Sequence, residues 1–153
     1  MVDAHQSILD SVKVEMVGLP LLRDNTTLLT KFVDTLENDA SEIVFGIMIG
    51  ALDAVADGKV QESVNADGSS ATDVTGGSIT QIGATGDNVL CLVSVRKTTL
   101  TKRYVGVLLT LADGTLGTNC AVFSLAVPGT GNVPVTQAAA GANHYATSQF
   151  VKI

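Results

Sequence analysis

The sequence is poor in aromatic and in charged residues. Aromatic residues make up 4% of the 153 residues, tryptophan is absent, and charged residues make up 16%, against about 25% in ordinary soluble domains. The few aromatics argue against a surface built to stack sugars. The nine Lys and Arg residues are outnumbered by fifteen Asp and Glu residues, which predicts no nucleic-acid partner because phosphate contacts need basic side chains.

Residues that carry common chemistry are also scarce. The two cysteines, Cys91 and Cys120, and the two histidines, His5 and His144, form no CxxC motif and no cluster with zinc-site spacing. Both cysteines lie inside apolar runs, so we expect two buried thiols rather than a disulfide. No nucleophile-elbow motif and no glycine-rich loop that opens a helix is present. The sequence therefore predicts no enzyme, no cofactor and no metal site.

Long uninterrupted apolar segments are missing as well. The longest apolar run, residues 43–56, is broken by two glycines and Asp53, so it does not fit a membrane span of about 18 residues. The first residues lack the basic and apolar regions of a signal peptide. Hydrophobic residues nevertheless make up 46% and the mean hydropathy is +0.37. This content excludes disorder as the overall state, and the length fits one domain with its own core.

Apolar and polar residues alternate with a period of two, which is typical of β-strands. Residues 42–52 are apolar on both faces, so we expect a central buried strand in which Gly46 and Gly50 mark a close approach or a bulge. Dipeptides such as Asp57-Gly58 and Asp67-Gly68 indicate turns. The second lies in a predicted hairpin loop at residues 65–70, in which we expect Asp67 and Gly68 to take the positive φ values. The predicted strands are residues 26–33, 42–52, 59–64, 72–74, 78–82, 88–95, 103–111, 121–127 and 147–153.

This spacing of strands predicts an all-β fold, a β-sandwich or jelly roll of about 8 strands. A short helix over residues 28–36 is the alternative for that segment, because its apolar residues also fit a helical stripe. Residues 129–144 are rich in Gly, Ala and Pro and are predicted to form a loop.

The first 25 residues form an extended N-terminal segment that differs from the predicted sandwich domain of residues 26–153. Its apolar stretch includes Leu19, Leu21 and Leu22, which we expect to contact a partner. The segment could be an arm that packs on that partner or the first edge strand of the sandwich. The tail, residues 133–153, is a second candidate contact.

Charge is unevenly distributed along the chain. Residues 1–87 hold 14 of the 15 carboxylates and only four basic side chains, whereas residues 88–153 hold one carboxylate and five basic side chains. Two halves of opposite sign favour self-complementary surfaces. The alternative is that the two halves mix in the fold and the asymmetry averages out.

One pattern of motifs is more specific. An apolar strand is followed by Val-Gln-Glu-Ser at 60–63, by Asp-Gly-Ser at 67–69 and Asp-Val at 73–74, and later by Lys-Arg-Tyr-Val at 102–105. Over residues 40–127 this pattern resembles small structural proteins from the head modules of tailed bacteriophages and prophages. The Bordetella-phage type of capsid cement protein is similar. Gly106 departs from the family pattern, which has Arg at that place.

The resemblance implies a virion structural protein, a capsid decoration or cement protein that stabilises the head by binding the capsid lattice. Its partners would be the major capsid protein and copies of itself, as a dimer or trimer, on the capsid surface after assembly in the host cytoplasm. We expect Arg103, Tyr104 and Tyr145 among the capsid or subunit contacts, with Arg103 pairing with Glu62, Asp67 or another subunit. The alternative function is a receptor- or carbohydrate-binding module of a tail or fibre.

Overall fold

The computed structural model describes residues 12–36, 40–112, 114–128 and 147–152. These residues form two packed β-sheets, and the single short helix among them is a 3-10 turn at Lys97–Thr99. The all-β prediction is thereby confirmed. The strands are β1 (Lys13–Arg23), β2 (Thr26–Leu29), β3 (Val33–Asp34), β4 (Ala40–Ile49), β5 (Ala56–Ser63), β6 (Thr72–Ile82), β7 (Val89–Arg96), β8 (Tyr104–Leu111), β9 (Thr118–Pro128) and β10 (Thr147–Lys152).

The strand order is that of a jelly roll. The first sheet has the order β1-β9-β4-β7-β10, and the second has the order β2-β8-β5-β6, with β3 also pairing with β8. The chain thus pairs as one long folded hairpin. Strands β5 and β6 adjoin the turn of this hairpin, and β1 and β9 pair at its open end. All of these pairings are antiparallel except that of β10, which adds to the edge of the first sheet parallel to β7.

The core lies between the two sheets and follows from the period-two pattern. Residues at alternate positions point to one face of a strand, and the inward set of the central strands is mostly apolar, with Ser124 on β9 and Glu62 on β5 as buried polar exceptions. On β4 and β8 the buried side chains are Ile43, Phe45, Ile47, Ile49, Val105, Val107, Leu109 and Leu111. Cys91 and Cys120 are buried and not bonded to each other, which confirms the prediction of two buried thiols.

Several strand boundaries differ from the sequence-based expectations. Asp57-Gly58, predicted as a turn, lies inside β5, where both residues pair with β8. The segment 28–36 is not helical, because β2 and β3 follow one edge of β8 with a break between them. At that break the Thr30 hydroxyl accepts a hydrogen bond from Val107 N at 2.9 Å, so the strand bends without leaving a backbone donor unpaired.

The segments 72–74 and 78–82 are one strand, β6, rather than two. The register against β5 slips between Lys59 and Gln61, and Gly76 lies in this interruption with a φ of 79°. The extra residues form a bulge, which needs a positive φ that glycine adopts without strain. Continuous hydrogen bonding resumes on both sides, so the two predicted strands are joined.

The predicted hairpin loop at 65–70 is confirmed between β5 and β6. Gly68 has a φ of 76° as expected, but the second positive φ belongs to Ser70, at 58°, and not to Asp67. Asp67 instead accepts a hydrogen bond from Ser69 N at 2.8 Å, and the Ser63 hydroxyl donates to Ser69 O at 2.8 Å. These bonds within the loop hold it in one shape.

The two halves of opposite charge are interleaved in space. Strands β1 and β4 of the first half alternate with β9 and β7 of the second half in the first sheet, and β8 lies between β2 and β5 in the second sheet. The topology therefore favours the alternative in which the asymmetry between chain halves does not create two separate charged surfaces.

Candidate functional site

The outer face of the first sheet is apolar. Because inward residues such as Ile47 form the core, their neighbours on each strand point outward. The register sets these outward residues in cross-strand rows: Val14, Leu125 and Val44 form one row, Met16, Phe123, Gly46 and Leu92 the next, and Ala121, Met48 and Leu90 the third. We call this set the apolar face.

Side chains of the apolar face remain partly open to solvent. Val14 is 53% exposed, Met16 47% and Met48 40%, while Phe123 and Leu90 are half-buried. The predicted strand at 42–52 is therefore central, between β9 and β7, but the expectation that it is buried on both faces is wrong at Met48. A strand flanked on both sides can still leave its outer side chains uncovered.

Phe123 lies across Gly46 in the middle of this face. A Cβ added at Gly46 would lie 2.1 Å from Phe123 Cζ, so the glycine is what lets the ring lie flat on the neighbouring strand. Of the two alternatives predicted for this glycine, a close approach or a bulge, the structure has the close approach. The result is a smooth surface, because a side chain at position 46 would lift the ring away from the sheet.

An open groove of about 410 Å³ lies at one end of the apolar face. Its walls come from β1, β4, β7 and β9 and the turns beside them: Pro20, Met48, Ile49, Gly50, Asn88, Val89, Leu90, Asn119, Cys120 and Ala121. The lining is almost wholly apolar, with Asn88 and Asn119 as its amide-bearing residues. At the opposite end of the face, Ser94 donates a hydrogen bond to the Glu42 carboxylate, so polar groups border the apolar surface there.

The outer face of the second sheet is polar by contrast. Lys59 Nζ and Gln61 Nε2 both donate to the Asp73 carboxylate, each at 2.7 Å, and Gln81 donates to Asp57 at 3.0 Å. The hydrogen bond from Gln61 is the larger cause of the lowered pKa of Asp73, with the Lys59 contact adding to it. Solvated ion pairs of this kind suit a surface that remains in water.

This second face also carries an aromatic ring over a glycine, but the ring is closed off. A Cβ at Gly106 would lie 2.8 Å from Phe32 Cδ2, and one at Gly68 would lie 2.5 Å from Phe32 Cε2. Phe32 is therefore held between strand β8 and the 65–70 hairpin loop, and only 4% of it is exposed. Gly106 thus makes room for this ring.

Edge strand β1 carries the predicted contact residues Leu19, Leu21 and Leu22. They are 65%, 51% and 63% exposed, and Leu22 lies opposite Asn119 on β9. Pro20, between them, lines the groove. The structure thus brings these leucines to the border of the apolar face.

The predicted contacts Arg103 and Tyr104 lie elsewhere, at the start of β8 in the second sheet. Arg103 pairs with Asp34, with Nη2 at 2.6 Å from Oδ2 and Nε at 2.9 Å from Oδ1, and its guanidinium lies 5.2 Å from the Tyr104 ring centre. The expected pairing with Glu62 or Asp67 is not the one seen here, because Asp34 accepts from both Nε and Nη2 of Arg103. Glu62 and Asp67 accept backbone hydrogen bonds instead. Tyr145 and residues 133–146 lie outside the described residues.

Glu62 serves as an anchor for the loop before β8. Its carboxylate accepts hydrogen bonds from Thr101 N at 2.7 Å, Thr101 Oγ1 at 2.5 Å and Lys102 N at 3.1 Å. Burial of Glu62 acts to raise its pKa, but these bonds and the Lys102 charge outweigh it, so the pKa is lowered. The family-like motif residues at 60–63 and 102–105 therefore hold the scaffold together.

Other chemistry is not apparent in the part of the chain that the structure describes. Over these ranges, no three His, Cys, Asp or Glu side chains come together as a metal site would require. No helix within them is long and apolar enough to cross a membrane. Burial raises the pKa of the Cys120 thiol, although Arg23 nearby acts to lower it, so this thiol is protonated near neutral pH.

Comparison with known proteins adds no assignment: no family model, no curated protein and no solved structure matches the chain.

Proposed function

We propose that this protein is a structural protein of a tailed-bacteriophage head, a decoration or cement protein without catalytic activity. Its partners are the major capsid protein and copies of itself, and its place is the outer surface of the capsid, after assembly in the host cytoplasm. The motif resemblance over residues 40–127 supports this proposal. The jelly roll supports it too, because this fold recurs in viral capsid proteins.

The observation that carries the proposal is the difference between the two outer faces of the sandwich. A contiguous apolar surface is costly in water, at about 25 cal/mol for each Å² left uncovered. The first sheet has such a surface around Phe123 and Met48, and the second sheet has the solvated pairs of Asp73 and Asp57. A cement protein needs this arrangement, with one side on the capsid and the other in solution.

We place the capsid contact on the apolar face and the groove beside it. Met48 and Leu90 line the groove and belong to the apolar face, so they are the central contact residues of the proposal. Arg103 and Tyr104 act within the scaffold, because the Arg103 guanidinium is already held by Asp34. The leucines of β1 extend the contact at its border.

The test is binding to heads. Particles purified from the source should contain the protein in stoichiometric copies, seen by electron cryomicroscopy as density on the outer capsid. In a sedimentation assay with heads that lack the protein, Met48→Glu and Leu90→Glu should reduce binding by tenfold or more, since each would place a charge in an apolar contact. The control Thr110→Glu, on the exposed second face, should bind as the wild type.

Two results would contradict the proposal: absence of the protein from purified virions, or wild-type binding by Met48→Glu and Leu90→Glu. The alternative, a carbohydrate-binding module, needs exposed aromatic platforms. Of the aromatic residues with described side chains, Phe32 and Phe45 are buried and Tyr104 lies against Arg103. Phe123 is half-buried and has apolar neighbours in its cross-strand row. Binding to a glycan array would favour that alternative.

A further inference from the structure

Strand β1 is an edge of the first sheet over the described residues, since it pairs with β9 on one side only. Edge strands present unpaired backbone groups and are sites at which a second chain can add. Its apolar side chains are exposed, with Val14 at 53% and Met16 at 47%. The edge therefore offers both the backbone and the apolar surface that strand addition requires.

The open part of this edge is short. Lys31 N donates a hydrogen bond to Val17 O at 2.8 Å, so the chain before β3 covers the edge at Val17. The register against β9 also shifts around Gly18 and again before Leu21. Among the residues that the structure describes, regular pairing by an added strand is thus confined to the segment that precedes Val17, residues 12–16.

The charges in this segment are self-complementary. Lys13 and Glu15 have opposite sign and flank Val14 symmetrically. Within its own chain, Glu15 contacts Lys31 and, at 3.9 Å, Lys13. When two copies of the segment pair antiparallel about a two-fold axis at Val14, Lys13 of each copy lies opposite Glu15 of the other. Opposite charges at facing positions stabilise a strand pair, and like charges destabilise it. A shift by one residue would lose this match.

We propose that a second copy of this chain pairs with the edge of β1, through residues 12–16 and about a two-fold axis at Val14. Such an interface is isologous, with the same patch on both subunits. It joins two first sheets edge to edge, so the two apolar faces become one continuous surface. The proposal concerns self-association in solution and goes beyond capsid binding, whose central residues Met48 and Leu90 lie elsewhere on the sheet.

Charge exchange tests the register. Sedimentation velocity should show the wild type as a dimer that dissociates on dilution. Lys13→Glu and Glu15→Lys alone should each weaken association about tenfold or more, because like charges then face each other. The double variant, Lys13→Glu with Glu15→Lys, should restore the dimer. Both the double variant and Glu15→Lys lack the contact between Glu15 and Lys31, so the loss of that contact cannot explain a difference between them. An equimolar mixture of the two single variants should form a heterodimer.

Cysteine crosslinking tests the axis. Val14→Cys should form a disulfide-linked dimer under mild oxidation, because residues facing each other at a two-fold axis in antiparallel strands have the Cα separation that a disulfide needs. Leu22→Cys is the matched control, since it is at least as exposed but lies beyond Val17, and it should stay largely uncrosslinked. Cys91 and Cys120 are buried and should not take part. Thermal unfolding of each variant checks that it is folded.

A monomeric wild type, two single variants that associate like the wild type, or equal crosslinking at positions 14 and 22 would each overturn the proposal. These assays measure self-association without capsids, whereas the sedimentation assay with heads measures capsid binding. A monomeric protein that binds heads would refute the proposed β1 dimer but not capsid binding. A dimer that does not bind heads would refute capsid binding but not the dimer.

Discussion

The two outer faces of the sandwich use the same device with different results. On each face a phenylalanine ring lies over a glycine of a neighbouring strand, Phe123 over Gly46 in the first sheet and Phe32 over Gly106 in the second. Phe32 is sealed by the 65–70 hairpin loop, and the residue opposite Gly106 on β5 is the polar Gln61. Phe123 is half-buried, and its neighbours in the cross-strand rows are apolar.

The difference indicates which sheet would gain from the contact that we propose. A ring that its own chain encloses contributes to folding, because its surface leaves water when the domain forms. A ring that stays partly exposed contributes less to folding. The part of its surface that is still in water can contribute to association when another molecule covers it. The second sheet thus completes the fold, and the first sheet leaves apolar surface uncovered.

The largest expected effect is the difference in stability between alanine variants at the two phenylalanines. Phe32→Ala should lower the free energy of unfolding by about 3–4 kcal/mol, as for other buried aromatics, and Phe123→Ala by only about 1–2 kcal/mol. Urea denaturation followed by circular dichroism measures both. Phe123→Ala should nevertheless lose binding to heads, while Phe32→Ala should bind wherever it is folded. Equal losses of stability would show that Phe123 is as enclosed as Phe32.

A smaller difference in stability is expected between alanine variants at the two glycines. Gly106→Ala should cost about 2 kcal/mol, because Phe32 is held on both sides and cannot move aside from the new Cβ. Gly46→Ala should cost less than about 1 kcal/mol even though its Cβ would come closer, since Phe123 can rotate toward solvent. Denaturant midpoints of the two variants test this order. If Gly46→Ala is the more damaging, then Phe123 is held rigidly.

The smallest effect concerns acid. The groups whose pKa is lowered by hydrogen bonds, Glu62, Asp67 and Asp73, all lie on β5, β6 or their hairpin loop. A carboxyl with a lowered pKa in the folded state stabilises the fold at pH values above its ordinary pKa, and this contribution is lost as the pH falls through the lowered value. As the pH falls, the second sheet should therefore lose stability before the first.

Glu62→Gln makes this expectation measurable. At pH 7 it should lower the free energy of unfolding by about 1–2 kcal/mol, because the neutral amide has one oxygen to accept the bonds from Thr101 and Lys102. Near pH 3 the difference from the wild type should be smaller. A difference that does not change with pH would mean that the charge of Glu62 is not what these bonds stabilise.

The sequence predicts much of this fold because the governing signals are local. Alternation of apolar residues located the strands, and Asp67-Gly68 located the hairpin loop. The two glycines of the predicted strand at 42–52 indicate a close approach or a bulge, and at Gly46 the structure has the close approach. Its partner, Phe123, is 77 positions away in the chain, and only the strand register brings the two together.

The candidate surface was less accessible from sequence for a related reason. Runs such as 42–52 are apolar on both faces of the strand. This pattern does not tell which face packs in the core of the domain and which lies on its outer surface. Met48 looked like a core residue on that basis. The sequence predicts that Arg103 pairs with Glu62, Asp67 or another subunit, whereas its partner Asp34 lies on β3, a strand of two residues with no pattern of its own.

The strand order also has a consequence during synthesis. Strand β9 lies between β1 and β4, so neither can complete its sheet until Pro128 has left the ribosome. At 5–20 residues per second, the apolar strand β4 waits roughly ten seconds for that partner. Throughout this interval its edge is open to other nascent chains, so the yield of native protein should depend on chaperones that bind extended apolar segments.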